Sequence, residues 1–351
     1  MKEIEIDGSL NDGGGQILRT AVGLGALLGK KITVNNIRAN RPKPGLEKQH
    51  MTGLIALKEI TGAKVQGLKV GSTKVVFEPG KIKEKIDLTI SIGTAGSISL
   101  VIQHLLPLTL KSEIGLKIRG GTHVPFSPSI TFMDKVLFPE LKKMNLGLSI
   151  ELLQIGYYPK GNGRAMFKSK NPKLPLKHIN LVEKGNLSRV NAFSYSSGML
   201  ALISRNQLIS AKKKIKEFDK EIEIREELKS MPDRKDTKGS SLDLIAEYGL
   251  CRLSGNSVGK QGDEAVKVGN NSAKLLLGQM QNGNPCDYHL ADQLIPFMAL
   301  ADGTSTIKIT KLTKHVLTNI EITEKLLGVK FEVKGRLSEP AEITVKGMGF
   351  T

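Results

Sequence analysis

Three segments of this 351-residue chain repeat one helix-then-strand pattern, and this repetition constrains the fold more than any other feature. The segments begin at Gln16, Ser97 and His289. Each starts with apolar residues at helical spacing, reaches a small or polar break, and ends in the apolar–polar alternation typical of a strand. A second helix–strand unit follows each segment. The sequence therefore predicts three copies of an α-β-α-β unit, which is an α/β fold made of repeated subdomains.

The spacing of the copies predicts an insertion. The first two copies start 81 residues apart, whereas the last two start 192 residues apart. The extra stretch has its own pattern: Ile215, Phe218 and Ile222 fit one helical face, and Glu221–Arg225 reads as a strand. We therefore expect residues 1–182 and 279–351 to form a large three-repeat catalytic domain, with a smaller α/β domain, residues 183–278, inserted before the last repeat.

Glycines at comparable places predict how two of the repeats end. The second helix of the second and third copies runs into NLGLSI and LLGVKF, respectively. Glycine accepts the left-handed backbone that closes many helices. The pattern therefore predicts that Gly147 and Gly328 act as helix C-caps.

The charge balance favours a polyanionic partner. The chain holds 52 Lys and Arg residues against 34 Asp and Glu, a formal net charge of +18. Clustered cations gain affinity for nucleic acid by releasing counterions from phosphates, although a basic surface also serves solubility. With no Trp and only 4% aromatic residues, a surface built from many base-stacking platforms is not expected.

Cysteine usage and the first residues bear on location. The two cysteines, Cys251 and Cys286, lie in no disulfide-like or zinc-like pattern. The start, MKEIEIDGSL, lacks the basic and apolar regions of a signal peptide, and no apolar run is long enough to span a bilayer. A cytoplasmic protein without membrane contact is the expectation.

Two segments near the first repeat predict anion binding. Gly13–Gly15 precede a helix with Arg19 one turn inside, so backbone N–H groups and a guanidinium would meet an anion there, although a tight turn explains the glycines equally well. The loop NIRANRPKPGLEKQH gathers basic side chains that two prolines hold extended, which favours a phosphate site. Its basic residues are Arg38, Arg41, Lys43 and Lys48.

The histidines show no metal-ligand spacing, but one of them stands out. His315 lies at the entry of an amphipathic helix just beyond a strand. Reactive side chains are often displayed at such junctions, and imidazole can attack phosphorus as a nucleophile. From the spacing alone, an ordinary surface histidine is the commoner interpretation of His315.

Seven motifs, in chain order, resemble those of the RNA 3′-terminal phosphate cyclases. They are DGSLNDGGGQILR, IRANRPKPGLEKQH, GTAGSISLVIQ, GGT, GYYPKGNG, HLADQL and KHVLTN. The resemblance covers nearly the whole chain and is weakest in the predicted insertion. It implies a fold of three α/β repeats with a smaller inserted domain, similar to that of the enolpyruvyl transferases.

The resemblance also implies an ATP-dependent reaction in three steps. The nucleophilic histidine would take AMP from ATP and release pyrophosphate. AMP would then pass to an RNA 3′-phosphate, and the neighbouring 2′-hydroxyl would expel AMP to leave a 2′,3′-cyclic phosphate. The implied cofactors are ATP and a divalent metal, Mg²⁺ or Mn²⁺. The implied partner is RNA with a 3′-phosphate end, and a homodimer stays open.

Site residues follow from positions that match the family's motifs. The resemblance implies His315 as the catalytic nucleophile. Asp12 would contact the metal, although the family usually has Glu there, and Asp12 would alternatively just cap the next helix. Residues implied to bind the substrate phosphate are Arg19, Arg38, Arg41 and Gln49. Residues implied to bind ATP are Gln103, Pro128, Phe132, His289, Asp292 and Gln293.

Two other readings stay open from the sequence. One is a non-catalytic RNA-binding relative that acts in ribosomal RNA processing; such relatives lack the histidine, so His315 counts against it. The other is an enolpyruvyl transferase with the same repeat architecture. Its small anionic substrates fit poorly with a charge of +18 and with the HLADQL and KHVLTN motifs.

Overall fold

One strand order recurs in three of the four β-sheets formed by the described residues, which are 3–170, 172–260 and 262–351 of a computed structural model. In each of the three sheets the first two strands run parallel, and the last two form an antiparallel pair that joins the second strand. Each repeat thus reads β-α-β-α-β-β. The predicted α/β repeat fold is confirmed, and the structure adds an opening and a closing strand to each predicted copy.

The first two repeats are continuous in sequence. The first comprises β1 (Glu3–Asp7), α1 (Gly15–Leu28), β2 (Lys31–Asn35), α2 (Lys48–Thr61), β3 (Lys64–Gln66) and β4 (Val75–Glu78). The second comprises β5 (Lys85–Ser91), α3 (Ile98–Leu105) with a 3-10 turn (Leu106–Leu110), β6 (Glu113–Gly120), α4 (Ile130–Phe132) with a π-helical turn (Met133–Leu137), α5 (Phe138–Lys143), β7 (Leu148–Gln154) and β8 (Gly163–Ser169).

The third repeat is interrupted by a separate sheet. That sheet and its two helices, here called the inserted unit, comprise β10 (Leu187–Ser197), α6 (Ala201–Phe218), β11 (Ile224–Met231), β12 (Gly239–Tyr248), β13 (Arg252–Val258) and α7 (Ala265–Gln281). The third repeat itself comprises β9 (Asn180–Leu181), α8 (Tyr288–Leu300), β14 (Thr304–Ile309), α9 (Lys314–Leu327), β15 (Phe331–Gly335) and β16 (Ala341–Lys346).

The inserted unit differs from the repeats in strand order. Its sheet runs β11-β10-β12-β13, with only β10 and β11 parallel. Strand β11 begins at Ile224 rather than at Glu221, and α6 ends at Phe218, so Ile222 lies in the connecting turn and not on the predicted helical face. The domain boundaries at residues 183 and 278 stay a prediction; residue 278 lies within α7.

The sheet of the inserted unit has two buried faces. Val190 and Ala192 of β10 belong to a small core beneath α6 and α7. Phe193 and Tyr195 of the same strand belong to the large core that the three repeats share. Successive side chains of a strand point to opposite faces, so one face of this sheet packs on its own helices and the other packs on the repeats.

The helix ends show where local sequence decides the backbone. Gly328 closes α9 in the left-handed conformation, with φ of 74°, as predicted. The prediction for Gly147 is wrong: the left-handed residue after α5 is Asn145, with φ of 71°. Asn tolerates this region because its short amide bonds locally to the backbone. No helix within the described residues is long and apolar enough to cross a membrane.

Candidate active site

His315 lies in the first turn of α9, a short distance after β14. Thr313 caps this helix, because its hydroxyl accepts a hydrogen bond from the backbone N–H of Val316 at 3.2 Å. The side chain of His315 is 46% exposed. A capped helix start therefore holds the imidazole at the surface, where about half of the side chain is open to solvent.

The start of α1 is bonded to the start of α9. The side-chain amide of Gln16 donates to the backbone oxygen of His315 at 2.6 Å. One helical turn further on, the hydroxyl of Thr20 donates to the side-chain oxygen of Asn319 at 2.7 Å. These bonds bring the glycine loop Gly13–Gly15 beside the predicted nucleophile.

The glycine loop also lies flush against the arginine–proline loop. A Cβ on Gly13 would meet the Asn40 side chain at 3.0 Å, and one on Gly14 would meet the Arg41 guanidinium at 3.2 Å. At Gly15 the clash would be severe, because the His50 ring lies 2.1 Å from the Cβ position. Close approach of the two loops therefore requires glycine. The two segments that the sequence picked out separately form one surface.

Asp292, on α8, lies beside the predicted nucleophile His315. Its Oδ2 is 3.9 Å from Nδ1 of His315. Its Oδ1 is buried without a hydrogen-bond partner among the described residues. Burial raises the pKa of Asp292 to about 7, against the lowering effect of the nearby Arg19 guanidinium. A carboxyl group with such a pKa exchanges its proton near neutrality.

Burial also lowers the pKa of the two basic groups near Asp292, which are Arg19 and His315. Burial lowers the pKa of Arg19 to about 10, and the Asp292 charge opposes this. The pKa of His315 is lowered from its usual value first by desolvation and then by Arg19, while Asp12 opposes the shift and Arg41 adds to it. A lowered pKa keeps the imidazole neutral near pH 7, which is the form that has a lone pair for attack.

The two arginines of the arginine–proline loop have different surroundings. Arg38 has a left-handed backbone, with φ of 55°, and its Nη1 donates to the carbonyls of Lys43 and Gly45 at 2.8 and 2.9 Å. Its Nη2 pairs with Glu47 at 2.7 Å. The guanidinium of Arg38 is thus used to shape the loop, whereas Arg41 is exposed.

Three amides from the predicted set link the helices around the site. Gln49 accepts a hydrogen bond from the backbone N–H of Ser97 at 2.8 Å, which fixes the glycine turn before α3. Gln103 donates to the side-chain oxygen of Gln293 at 2.7 Å, and Gln293 in turn donates to the carbonyl of His289 at 2.8 Å. The structure therefore brings Gln103, Gln293 and His289 together.

The predicted adenine-binding pair has unequal access. Pro128 is half-buried, and its carbonyl accepts a hydrogen bond from Ser99 at 2.6 Å. Phe132, in α4, is only 5% exposed and belongs to the large core. Little of the Phe132 ring is therefore open to a ligand, while Phe126 on the preceding loop is fully exposed.

Asp12 does not cap α1. The N-cap of that helix is Gly14, without a side-chain hydrogen bond, and Oδ1 of Asp12 pairs with Nζ of Lys314 at 3.2 Å. Within residues 3–170, 172–260 and 262–351, no three His, Cys, Asp or Glu side chains group as metal ligands. A divalent ion here would rest on Asp12, water and the phosphates of a nucleotide, which is how Mg²⁺ is usually held in ATP sites.

Sequence reasoning missed four residues of this region. Lys314 and Asn319 stand in the KHVLTN motif itself, on the same first turns of α9 as His315. Gln16 follows the three glycines directly. Tyr288 opens α8, and its ring lies 4.0 Å from that of His289. Proximity to a singled-out residue was the signal that could have found each of them.

The comparisons with known proteins point in one direction. The family model described as "RTC: RNA 3'-terminal phosphate cyclase" matches residues 10–333. The chain is similar to an RNA 3′-terminal phosphate cyclase of Thermococcus onnurineus, at 40% identity over 99% of this chain and all of that protein. It is also similar to those of Pyrococcus furiosus, at 39% over 97% and 98%, and Desulfurococcus amylolyticus, at 38% over 100% and 99%. The chain is thus an enzyme that belongs to the RNA 3′-terminal phosphate cyclase family.

Proposed function

We propose that this chain uses ATP to convert the 3′-terminal phosphate of an RNA into a 2′,3′-cyclic phosphodiester, through AMP linked covalently to His315. One observation carries the proposal: a half-exposed imidazole, whose pKa is lowered by desolvation and two arginines, stands beside a glycine loop that packs against the arginine–proline loop. Family membership supports the RNA substrate and the use of ATP.

In the first step the imidazole attacks the α-phosphorus of ATP. Nδ1 of His315 faces Asp292, which leaves Nε2 for the attack. A P–N bond forms to Nε2, the P–O bond to pyrophosphate breaks, and pyrophosphate leaves with the electron pair. Asp292 would hold the proton on Nδ1 as the ring becomes positively charged.

The second and third steps use the RNA end. An oxygen of the RNA 3′-phosphate attacks the phosphorus of the bound AMP, and the P–N bond breaks to restore the neutral imidazole. The 2′-hydroxyl then attacks the RNA phosphorus and AMP leaves, which closes the cyclic diester. This last attack needs little help because the 2′-oxygen is adjacent to the phosphate.

The surrounding cations would lower the cost of these steps. Arg19 and Arg41 both lie close enough to His315 to lower its pKa, so they would also face phosphates placed at the imidazole. Negative charge develops on the departing phosphate as each bond breaks, and guanidinium groups held in place stabilise that charge. A divalent ion held by Asp12 would neutralise the pyrophosphate.

The test uses ATP labelled at the α-phosphate. The purified chain with Mg²⁺ or Mn²⁺ should become labelled through an acid-labile, base-stable bond. An RNA ending in a 3′-phosphate should then release the label as AMP, while the unlabelled phosphate of the RNA closes into the cyclic end. An RNA with a 3′-hydroxyl is the matched control and should not release the label. A chain that binds the RNA but takes up no label would instead be a non-catalytic RNA-binding relative.

A further inference from the structure

A buried carboxylate joins the inserted unit to the second repeat. Asp243, on β12, is 3% exposed. Its Oδ1 accepts hydrogen bonds from the Ser129 hydroxyl at 2.5 Å and from the Asn256 amide at 3.2 Å. Its Oδ2 has no hydrogen-bond partner among the described residues, but lies 3.5 Å from Nε2 of the fully buried His123.

Two of the groups that face Asp243, His123 and Ser129, flank one loop of the second repeat. His123 and Ser129 bracket the segment 124–128, which includes the exposed Phe126 and the half-buried Pro128. Ser129 also begins α4, because its hydroxyl accepts a hydrogen bond from the Phe132 N–H at 3.0 Å. The carboxylate therefore contacts both ends of this segment, here called the 124–128 loop.

Neighbouring contacts hold the same loop from other sides. The His123 ring packs on Tyr195 of β10, with 4.8 Å between ring centres, and Nδ1 of His123 is 3.0 Å from the Thr122 hydroxyl. The Ser99 hydroxyl of α3 bonds the Pro128 carbonyl. The backbone at Phe126 has φ of 61°, a costly conformation for a bulky residue that persists only where its surroundings fix it.

A buried carboxylate such as Asp243 is less favourable for folding than an apolar side chain of the same size would be. Burying a charge costs free energy that an apolar side chain would not cost, and buried polar groups often serve to select one geometry. Removing the Asp243 side chain would leave the Ser129 hydroxyl without this acceptor at one end of the loop. At the other end it would remove the carboxylate beside Nε2 of His123, whose ring would keep its contacts with Thr122, Thr131 and Tyr195. The geometry of the loop therefore depends on a residue of the inserted unit.

We propose that Asp243 is a positioning residue that sets the affinity for ATP by holding the 124–128 loop at the nucleotide site. This inference rests on the proposed function, because it takes the Pro128 side of the site as the place where the ATP base binds. It assigns to the inserted unit a part in nucleotide binding, although none of the residues implied to bind ATP lies within that unit.

A fluorescent reporter tests the position of the loop without ATP. The native chain has no Trp, so Phe126→Trp creates a single tryptophan on the loop. In this background Asp243→Ala should lower the anisotropy of the tryptophan, and Asp243→Asn, which retains Oδ1 as an acceptor, should restore it. Ser129→Ala should lower it too, without an additive effect in the double variant.

Glu140→Gln is the matched control. Glu140 is a buried carboxylate of α5 in the same seam, where it pairs with Lys143 at 2.6 Å and lies 3.8 Å from Arg252 of β13. Like Asp243 it links the second repeat to the inserted unit, but its partners do not flank the 124–128 loop. It should leave the anisotropy unchanged. Thermal unfolding of each variant checks that it is folded.

Labelling by ATP tests the functional half. In the otherwise native chain, Asp243→Ala should raise the ATP concentration for half-maximal labelling about tenfold, the scale of a lost charged hydrogen bond, and leave the saturated labelling rate within about threefold. An unchanged anisotropy with Asp243→Ala, or an equal loss of ATP affinity with Glu140→Gln, would overturn the proposal. A native chain without labelling would sink the proposed function, and the anisotropy series would still decide whether Asp243 holds the loop.

Discussion

The three repeats and the inserted unit are built from similar helices and strands but differ in strand order and in what they contribute to the site. The repeats share one strand order, and the starts of α1 and α9, from the first and third repeats, meet at His315. The inserted unit has a different strand order and holds none of the predicted site residues. Yet its Ser254 and Gln279 donate to the buried Asp287 that caps α8, at 2.5 and 2.9 Å. The comparison teaches that the repeats carry the predicted site residues, while the inserted unit fixes the start of α8, which displays several of them.

The largest expected effect comes from removing the inserted unit. The sequence alone predicts that a short linker in place of residues 183–278 leaves the repeats folded. The structure leads us to expect the reverse, because Phe193 and Tyr195 fill the large core and the buried Tyr157 bonds Thr237 and Ser241. Circular dichroism on heating should show no cooperative transition.

The control for this deletion keeps the inserted unit. The same linker added after the exposed Lys220, in the turn between α6 and β11, should leave the transition near its native temperature. A cooperative transition in the shortened chain would mean that the repeats form a self-sufficient core.

The next effect separates chemistry from folding. His315→Ala should abolish both labelling by ATP and cyclisation, while the free energy of unfolding changes by no more than about 0.5 kcal/mol, as for other exposed sites. Urea unfolding and labelling measure the two halves. His178→Ala, which alters an exposed histidine bonded to the Asp302 carbonyl, should keep the label. Label retained on His315→Ala would place the nucleophile elsewhere.

Arg38 and Arg41 have the same predicted role in phosphate binding, but we expect their substitution by alanine to have different effects. Arg41→Ala should weaken the use of RNA 3′-phosphate ends by about 1.5–3 kcal/mol, the scale of a charged hydrogen bond, and leave stability unchanged. Arg38→Ala should lower stability instead, because it removes three contacts inside the loop. Cyclisation rates at limiting RNA and urea unfolding report the two effects. Equal losses of activity without a loss of stability would show that both bind phosphate.

A buried carboxyl group of α8 makes stability depend on pH. The pKa of Asp292 is raised to about 7 by burial, so between pH 3.8 and 7 the folded chain holds a proton that the unfolded chain releases. Stability from this group therefore falls as pH rises through that window. Asp292→Asn should raise the free energy of unfolding more at pH 8 than at pH 5, by up to about 2 kcal/mol. The same increment at both values would contradict the shift.

The smallest expected effect concerns the metal. Asp12→Asn should raise the Mg²⁺ concentration needed for half-maximal labelling several-fold, because the proposed site takes its one protein ligand from this carboxylate. Asp12→Glu, with the longer side chain usual in the family, should retain labelling. A metal requirement that stays unchanged in Asp12→Asn would leave the ion pair with Lys314 as the role of Asp12.

Hydrophobic periodicity predicted the repeats because each repeat buries an apolar helix face against a sheet. The residues that form such a face lie within one short stretch of the sequence. Periodicity missed two of the opening strands because β9 is two residues long and β1 is mostly polar. The Gly147 prediction failed for a related reason: Asn145, two residues earlier, has the left-handed backbone. Local patterns rank such alternatives only weakly.

The site was predicted unevenly. His315 and Arg41 stand exposed where their motifs suggested, since a helix start and a proline-stiffened loop display side chains whatever the rest of the fold does. The internal use of Arg38 depends on the path of its own loop back to Glu47. Asp243 and Asp287 contact residues that lie far away in the sequence, such as Ser129 and Ser254. No local sequence pattern predicts contacts of this kind.

The position of the insertion between β9 and α8 also has a consequence for folding during synthesis. Asn180 of β9 pairs with Thr306 of β14, 126 residues later, whereas β1 and β2 of the first repeat pair across fewer than 30 residues. The first two sheets can close as they leave the ribosome, but the third must wait until the inserted unit has emerged. Contacts of such long range close slowly. His315, the proposed nucleophile, is synthesised after that delay and is thus among the last groups to reach its place.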